Sequence, residues 1–528
     1  MEIKELLSKV NEELSSLEKD VALAYWNLAA TGKEEFAKAL EEAETKLKTY
    51  LSNRELFEEV KSALESAGES LSPLEKRQLK LLLNEMYPNQ LPKEEIEEIV
   101  KREVEIEAIY ANYRPQIDGK EVSTNDIMQI LKESKDSNER KNAYLASKSI
   151  GEVIAPKLIE LIKIRNENAK ALGFSNYYDM MMELQELSTD EVHSRFAKIK
   201  EETDEIFTEI KDDIDKEIAE LFGIPKSEVK PWHYSDLFFQ EVPDIDDYDY
   251  DAILKDKDIV TLVKDYYEKI GLDITDIIER SDLYERKGKN PHAFTLSVDR
   301  LYDVRVLENI RPNVKWLETT LHEYGHAVYE KYIDKSLPYI LREPAHIFTT
   351  EAVAMFFGRL ARHPEFYEKV LGVDNVTLSQ ISDRLLKLLR YQLAITTRWV
   401  IAFVFFEKEL YRNPDGDLNN LWYDIVHELQ YIDLPERRAF PDWASKIHFG
   451  FAPVYYHNYL FGEILASQFS HYIKANISNS FVDREIGNFF VEKVFKPGAT
   501  MPWDELVEFS TGEPLNHSYL VEFVKEGK

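Results

Sequence analysis

The chain has 528 residues, 44% of them hydrophobic, enough to bury a large core. Lys and Arg number 66 against 98 Asp and Glu, and a formal charge of −32 argues against nucleic acid and anionic membranes as partners. With no cysteine, disulfides and thiolate catalysis are excluded, so any transition-metal site must use His and carboxylate.

The opening stretch, MEIKELLSKVNEELSSLEKD, is acidic and amphipathic, without an apolar signal core. Ile3, Leu6, Leu7, Val10, Leu14 and Leu17 mark one helical face. Ser72-Pro73-Leu74-Glu75 predicts a capping box with proline at the first helical position. Asp136 to Leu172 reads as one long periodic stretch, stopped by Gly173. Ser188-Thr189-Asp190-Glu191 opens a further helix that should run to about Glu220. Asp244, Asp246, Asp247, Asp249 and Asp251 form an acidic cluster. It lacks the turn glycine and bidentate glutamate of a calcium loop and reads as solvated. His292 to Ile310 holds two β-rich runs around Val298-Asp299-Arg300, which predicts a hairpin or small antiparallel sheet. Leu385 to Tyr411 is apolar on nearly every side and predicts a buried central helix. The longest uninterrupted apolar run, Trp399 to Phe406, is far too short to span a bilayer. With neither export signal nor anchor, the expected location is the cytoplasm.

Residues 321 to 330 read LHEYGHAVYE. His322 and His326 stand four apart, so on a helix both imidazoles share a face and can bind one tetrahedral ion. Glu323 follows the first His and can act as the base beside the metal. Downstream, FTTEAVAMFF predicts a helix capped by Thr349 or Thr350, with Glu351 in its first turn. Two His and one Glu leave an open fourth position, as catalytic zinc sites do. The bland alternative is two ordinary helix histidines and a carboxylate favoured by the helix dipole. His427-Glu428 mimics the start of such a motif, but Tyr431 stands where the second His would be. His346 is either a buried, hydrogen-bonded residue or a catalytic one.

On these motifs the sequence resembles the helical zinc peptidases that include angiotensin-converting enzyme, thimet oligopeptidase and oligopeptidase F. A second match lies in Lys446-Ile447-His448, Phe449 to Val454 and Tyr455-Tyr456-His457-Asn458-Tyr459. AYWNLAA at 24 to 30 and IRNENAKALGFSNYYDMM extend the resemblance into the N-terminal half. It implies a mainly α fold, two helical lobes around a deep substrate channel, with a small antiparallel sheet beside the zinc helix. It further implies a single catalytic domain over 1–528, with an N-terminal helical part of about 1–255 and a zinc-binding, C-terminal part of about 256–528. By the match, His448 and Tyr459 donate to the oxyanion. The spacing is one residue longer than in the converting enzyme, so Tyr456 is a rival for Tyr459. A sheet edge at Asn290 to Phe294, including Ala293, would hold substrate backbone. Lys446 and Tyr455 match two of the three groups that bind a terminal carboxylate in the converting enzyme. The stretch expected to carry the third, a glutamine, has none, and Lys257 is nearest. Asn458 stands where that enzyme has a chloride-binding arginine, which puts chloride activation in doubt.

The reading is therefore a peptidase with one Zn2+ per chain that hydrolyses short unstructured peptides. The alternative within enzymes is a peptidyl-dipeptidase, favoured by Lys446 and Tyr455. The non-enzyme alternative is an inactive peptide binder, against which Glu323 argues, since a binder needs no base. Oligomeric state is not legible.

Overall fold

The computed structural model describes residues 3–66, 71–433 and 440–526, and they are mainly helical. Helix α1 (Ile3–Thr31) buries Leu6, Leu7, Val10 and Leu14 on the face that the periodicity marks. They share a core with Leu79, Leu82, Leu83 and Met86 of α2 (Pro73–Met86). Each fully buried leucine contributes roughly 1.5–3 kcal/mol. The start of α2 is as expected: Ser72 Oγ accepts the Glu75 N–H, and the Glu75 carboxylate accepts that of Ser72.

A short hairpin, β1 (Gln116–Ile117) with β2 (Lys120–Glu121), precedes the stretch that the periodicity runs together. That stretch is two helices, α3 (Ser137–Lys148) and α4 (Ile150–Ala171). The break falls at Ser149, whose hydroxyl donates back to Ala146 O and accepts from Tyr113. Such back-bonding competes with the helical ladder while leaving the apolar pattern untouched. Helix α5 (Tyr177–Leu184) follows, then α6 (Thr189–Phe222), capped by Ser188 and closed by Gly223 in the left-handed region. The acidic run ends at Asp251, whose carboxylate accepts the Val314 N–H.

The expected hairpin is present. Strands β3 (Phe294–Ser297) and β4 (Val304–Leu307) pair antiparallel, with Phe294 opposite Leu307 and Ser297 opposite Val304. Ala293 lies just before β3. The remaining helices used below are α7 (Val314–Tyr332), α8 (Ile347–Gly358), α9 (Asn375–Arg412), α10 (Leu418–Gln430), α11 (His448–Phe451) and α12 (His457–Asn476). Helix α9 passes a length-and-hydropathy test for a membrane span, yet 78% of its most apolar window is buried, which marks a core helix. His427 and Glu428 are ordinary residues of α10, His427 pairing with Asp433.

The chain forms two compact units, each assembled from separate stretches. The first comprises Met1–Gln90, Tyr248–Leu386 and Phe461–Leu520; the second comprises Leu91–Asp247, Lys387–Leu460 and Val521–Lys528. These units do not follow a division near residue 255, because each gathers helices from both halves of the chain.

Candidate metal centre

Helix α7 begins where Asn313 accepts the Trp316 N–H, and it runs past both histidines without interruption. The i, i+4 spacing then sets the rings together: His322 Nε2 and His326 Nε2 are 3.2 Å apart. Helix α8 supplies the third group. Its N-cap is His346, whose Nδ1 accepts the Phe348 N–H at 3.1 Å, while Thr349 Oγ1 accepts the His346 N–H. The expectation of a Thr349 or Thr350 cap is thus corrected: the helix starts earlier, because an imidazole nitrogen can accept as a hydroxyl does. The capping role also accounts for His346.

Glu351 Oε2 lies 3.7 Å from His322 Nε2 and 3.8 Å from His326 Nε2. A tetrahedral zinc with ligands at about 2.0–2.2 Å separates those ligands by roughly 3.3–3.5 Å. The three groups therefore fit such an ion, and among the described residues they are the set that could hold one. Gly325 makes the geometry possible. An added Cβ there would stand 2.8 Å from Ala354 Cα, so the glycine lets α7 and α8 approach.

The donors are in ligand-ready form. Thr350 Oγ1 holds His326 Nδ1 at 2.7 Å and leaves Nε2 facing the cluster. Burial pushes His322 down to about 4 and, with His322 beside it, His326 well below its ordinary value, so both imidazoles are neutral. Burial also pushes Glu323 up to about 8, opposed by the Thr295 hydroxyl and reinforced by Glu351. A bound dication would reverse that rise by favouring the carboxylate. Thr295 Oγ1 lies 2.7 Å from Glu323 O and 3.1 Å from Glu323 Oε2. Sequence reasoning missed Thr295. The signal was the strand period, which turns Thr295 to the face opposite Phe294 and Leu296.

Apart from Ala293, the other candidate residues belong to the second unit. There His448, Tyr456 and Tyr459 form one aromatic cluster, with His448 to Tyr456 centroids 5.1 Å apart and Tyr456 to Tyr459 centroids 5.0 Å apart. Tyr455 lies against Tyr459 at 5.5 Å. Lys446 is buried, and its Nζ donates to Gln240 Oε1 at 2.9 Å. The rings of Phe238, Trp399 and Tyr456 surround that Nζ at 5.2, 5.2 and 5.7 Å. Burial pushes Lys446 down to about 8, opposed by Asp236 and Glu241. Gln240 is thus the amide beside Lys446, whereas Lys257 donates to Leu371 O. Among the tyrosines of this segment, the Tyr456 ring lies 5.7 Å from Lys446 Nζ.

Two family models match the chain. One, described as peptidase family M3, covers residues 278–524; the other, described as angiotensin-converting enzyme, covers residues 1–219. Among curated proteins, thermostable carboxypeptidase 1 of Pyrococcus furiosus is 22% identical over 241 residues, which are 39% of this chain and 46% of that protein. Carboxypeptidase 1 of Bacillus subtilis is 25% identical over 276 residues, which are 45% of this chain and 53% of that protein. The chain spans about half the length of these curated relatives. The two family matches place it in the group of helical zinc peptidases to which both families belong.

Proposed function

We propose that this chain is a zinc-dependent peptidase that hydrolyses short, flexible peptides. The observation that carries this reading is the His322, His326 and Glu351 cluster with Glu323 beside it on α7. His322, His326 and Glu351 would hold the ion, which would supply Lewis-acid chemistry. Glu323, beside that cluster, would serve as base toward an attacking water and then as acid toward the leaving amine. Thr295 holds the Glu323 carboxylate in place for both transfers. His448 and Tyr459 are the proposed donors to the tetrahedral oxyanion, since a neutral imidazole and a phenol can both donate to developing negative charge. The β3 edge pairs with substrate backbone by strand addition, with Ala293 at its entry. A channel between two helical lobes, implied by the family resemblance, would admit flexible peptides and exclude folded proteins. Mass spectrometry of a mixed peptide set, before and after chelation and zinc return, tests the reading. Peptide cleavage that survives complete zinc removal refutes it.

A second reading is that cuts fall near the carboxyl terminus. Lys446, Gln240 and Tyr456 support it, because a buried ammonium flanked by an amide and a phenol can bind a terminal carboxylate through charge-assisted bonds. The printed names of the two curated relatives, both carboxypeptidases, agree with it. A free-acid peptide compared with its C-terminal amide decides the matter. A terminal grip requires several-fold or greater loss of kcat/KM on amidation.

A further inference from the structure

Two strained backbone positions flank the groups that converge on Lys446. Val454 has φ +55° and Phe239 has φ +50°, in the left-handed region that a β-branched or bulky residue rarely adopts. Val454 immediately precedes Tyr455 and Tyr456, and Phe239 immediately precedes Gln240. Both are fully packed, with 1% of their surface exposed, so neither is a loose loop residue.

Each strained turn is held from both sides. The Val454 N–H donates to Glu407 Oε1 at 2.9 Å, and Gln185 Nε2 donates to Val454 O at 2.9 Å. Around Phe239, Asp236 accepts the N–H groups of Phe238, Gln240 and Glu241, while Gln430 Nε2 donates to Phe238 O and Phe239 O. In both cases a buried carboxyl takes the N–H side and a carboxamide serves the C=O side. Each device fixes the backbone next to a residue that contacts Lys446, and in the second Phe238 also lies against its Nζ.

Helix α9 adds rigidity to the first device. Trp399, Phe403 and Glu407 recur every four residues and so form one stripe. Trp399 Nε1 donates to Tyr456 Oη at 2.8 Å, Phe403 stacks on the Tyr456 ring at 4.0 Å, and Glu407 holds Val454. One helix face thereby sets the hydroxyl, the ring and the approaching backbone of Tyr456. With the indole N–H donated to it, the phenol keeps its own hydrogen available for a ligand.

We propose that Glu407 and Asp236 are positioning residues that hold Val454 and Phe239 in strained conformations, so that Tyr456 and Gln240 meet Lys446 as a preformed carboxylate receptor. Strain persists only where the surroundings over-determine it, and it gathers at ligand clamps. The inference rests on the reading that Lys446 receives the substrate's terminal carboxylate. What it adds is how the receptor is preorganised.

The test compares kcat/KM for a free-acid peptide and its C-terminal amide in the zinc-loaded full chain. Glu407→Leu removes the acceptor of the Val454 N–H, whereas Glu407→Gln keeps an acceptor oxygen. The acid-to-amide ratio should fall at least about threefold in Glu407→Leu, while Glu407→Gln stays within about twofold of wild type. The ratio carries the test, since a general loss of structure, or of Tyr459 placement, would lower both substrates together. Hydrogen exchange over residues 452–459 should speed up in Glu407→Leu and not in Glu407→Gln. Gln185→Leu serves as the second variant should Glu407→Leu not fold. A wild-type ratio of one sinks the carboxylate reading and this inference with it. A wild-type preference that is lost in Lys446→Met but intact in folded Glu407→Leu sinks the inference alone.

Discussion

Replacing Gly325 with alanine separates metal binding from overall stability. An added Cβ would meet Ala354 Cα at 2.8 Å, the Phe357 ring at 3.2 Å and Ala354 N at 3.3 Å. Carbon atoms pack best at about 3.5–4.0 Å, so the shortfall is roughly 0.7 Å. The main obstacle is backbone, which cannot rotate away, so α8 must move. Overpacking of this kind costs about 1–3 kcal/mol. Alanine returns about 1 kcal/mol through its better helix propensity. The net loss of stability is therefore small, about 0–2 kcal/mol. The metal site is less tolerant, because ligand distances must hold within about 0.2 Å. A shift of α8 carries Glu351 away from His322 and His326, which lie on α7. Zinc affinity should fall about 10–100-fold, comparable to the loss of a supporting partner. Competition with a chromophoric chelator measures the affinity, and melting without zinc measures the stability. An unchanged zinc affinity refutes the argument that Gly325 sets the α7 to α8 spacing.

Four further outcomes follow from the same geometry. Glu323→Gln should retain zinc by metal analysis yet lose about 10²–10⁴ in kcat/KM, and wild-type turnover would place the base elsewhere. Thr295→Val should also retain zinc but lower kcat more than KM, because only the orientation of Glu323 changes; equal activity would reduce Thr295 to packing. Tyr459→Phe should lower kcat about 10²–10³ with little change in KM, and a loss confined to Tyr456→Phe would move the oxyanion role there. Glu407, pushed up to about 8 by burial from an ordinary 4.5, keeps a proton when folded that the unfolded chain releases. Its contribution is full below about pH 4.5 and is lost as pH rises toward 8. The melting temperature of Glu407→Gln, taken relative to wild type, should therefore rise between pH 5 and pH 8, and a constant difference would refute the buried, protonated state.

What the sequence revealed was local. The i, i+4 pair of His322 and His326, the Ser72 capping box and the hairpin at 292–310 each depend on residues near one another in the chain. Glu351 was legible because one loop and one helix start separate it from His326. The misses are long-range or competitive. Lys446 and Gln240 are 206 residues apart, and no period links them. Trp399 and Phe403 of α9 fix the Tyr456 ring, a constraint absent from the spacing between Lys446 and the tyrosines. The break at Ser149 and the cap at His346 turn on single side chains bonding to nearby backbone, which leaves the hydrophobic pattern unchanged.

If Glu323 is the base, strand β3 couples binding to catalysis with few residues. Phe294 and Leu296 turn toward the cluster of Trp26, Ala29 and Ala30 on α1, and this packing fixes the strand from one face. Thr295 turns the other way and bonds Glu323, so the carboxylate proposed as the base is braced against a strand that cannot shift freely. The inner edge of β3 is taken by β4, and among the described residues no further strand pairs with its outer edge. An extended peptide added there would lie on the strand that already positions Glu323. Register along β3 would then fix which peptide bond faces the base, since a strand paired one residue out of step turns its side chains to the opposite face. With a peptide added there and Glu323 acting as the proposed base, a four-residue strand would set both the position of the scissile bond and the aim of that carboxylate.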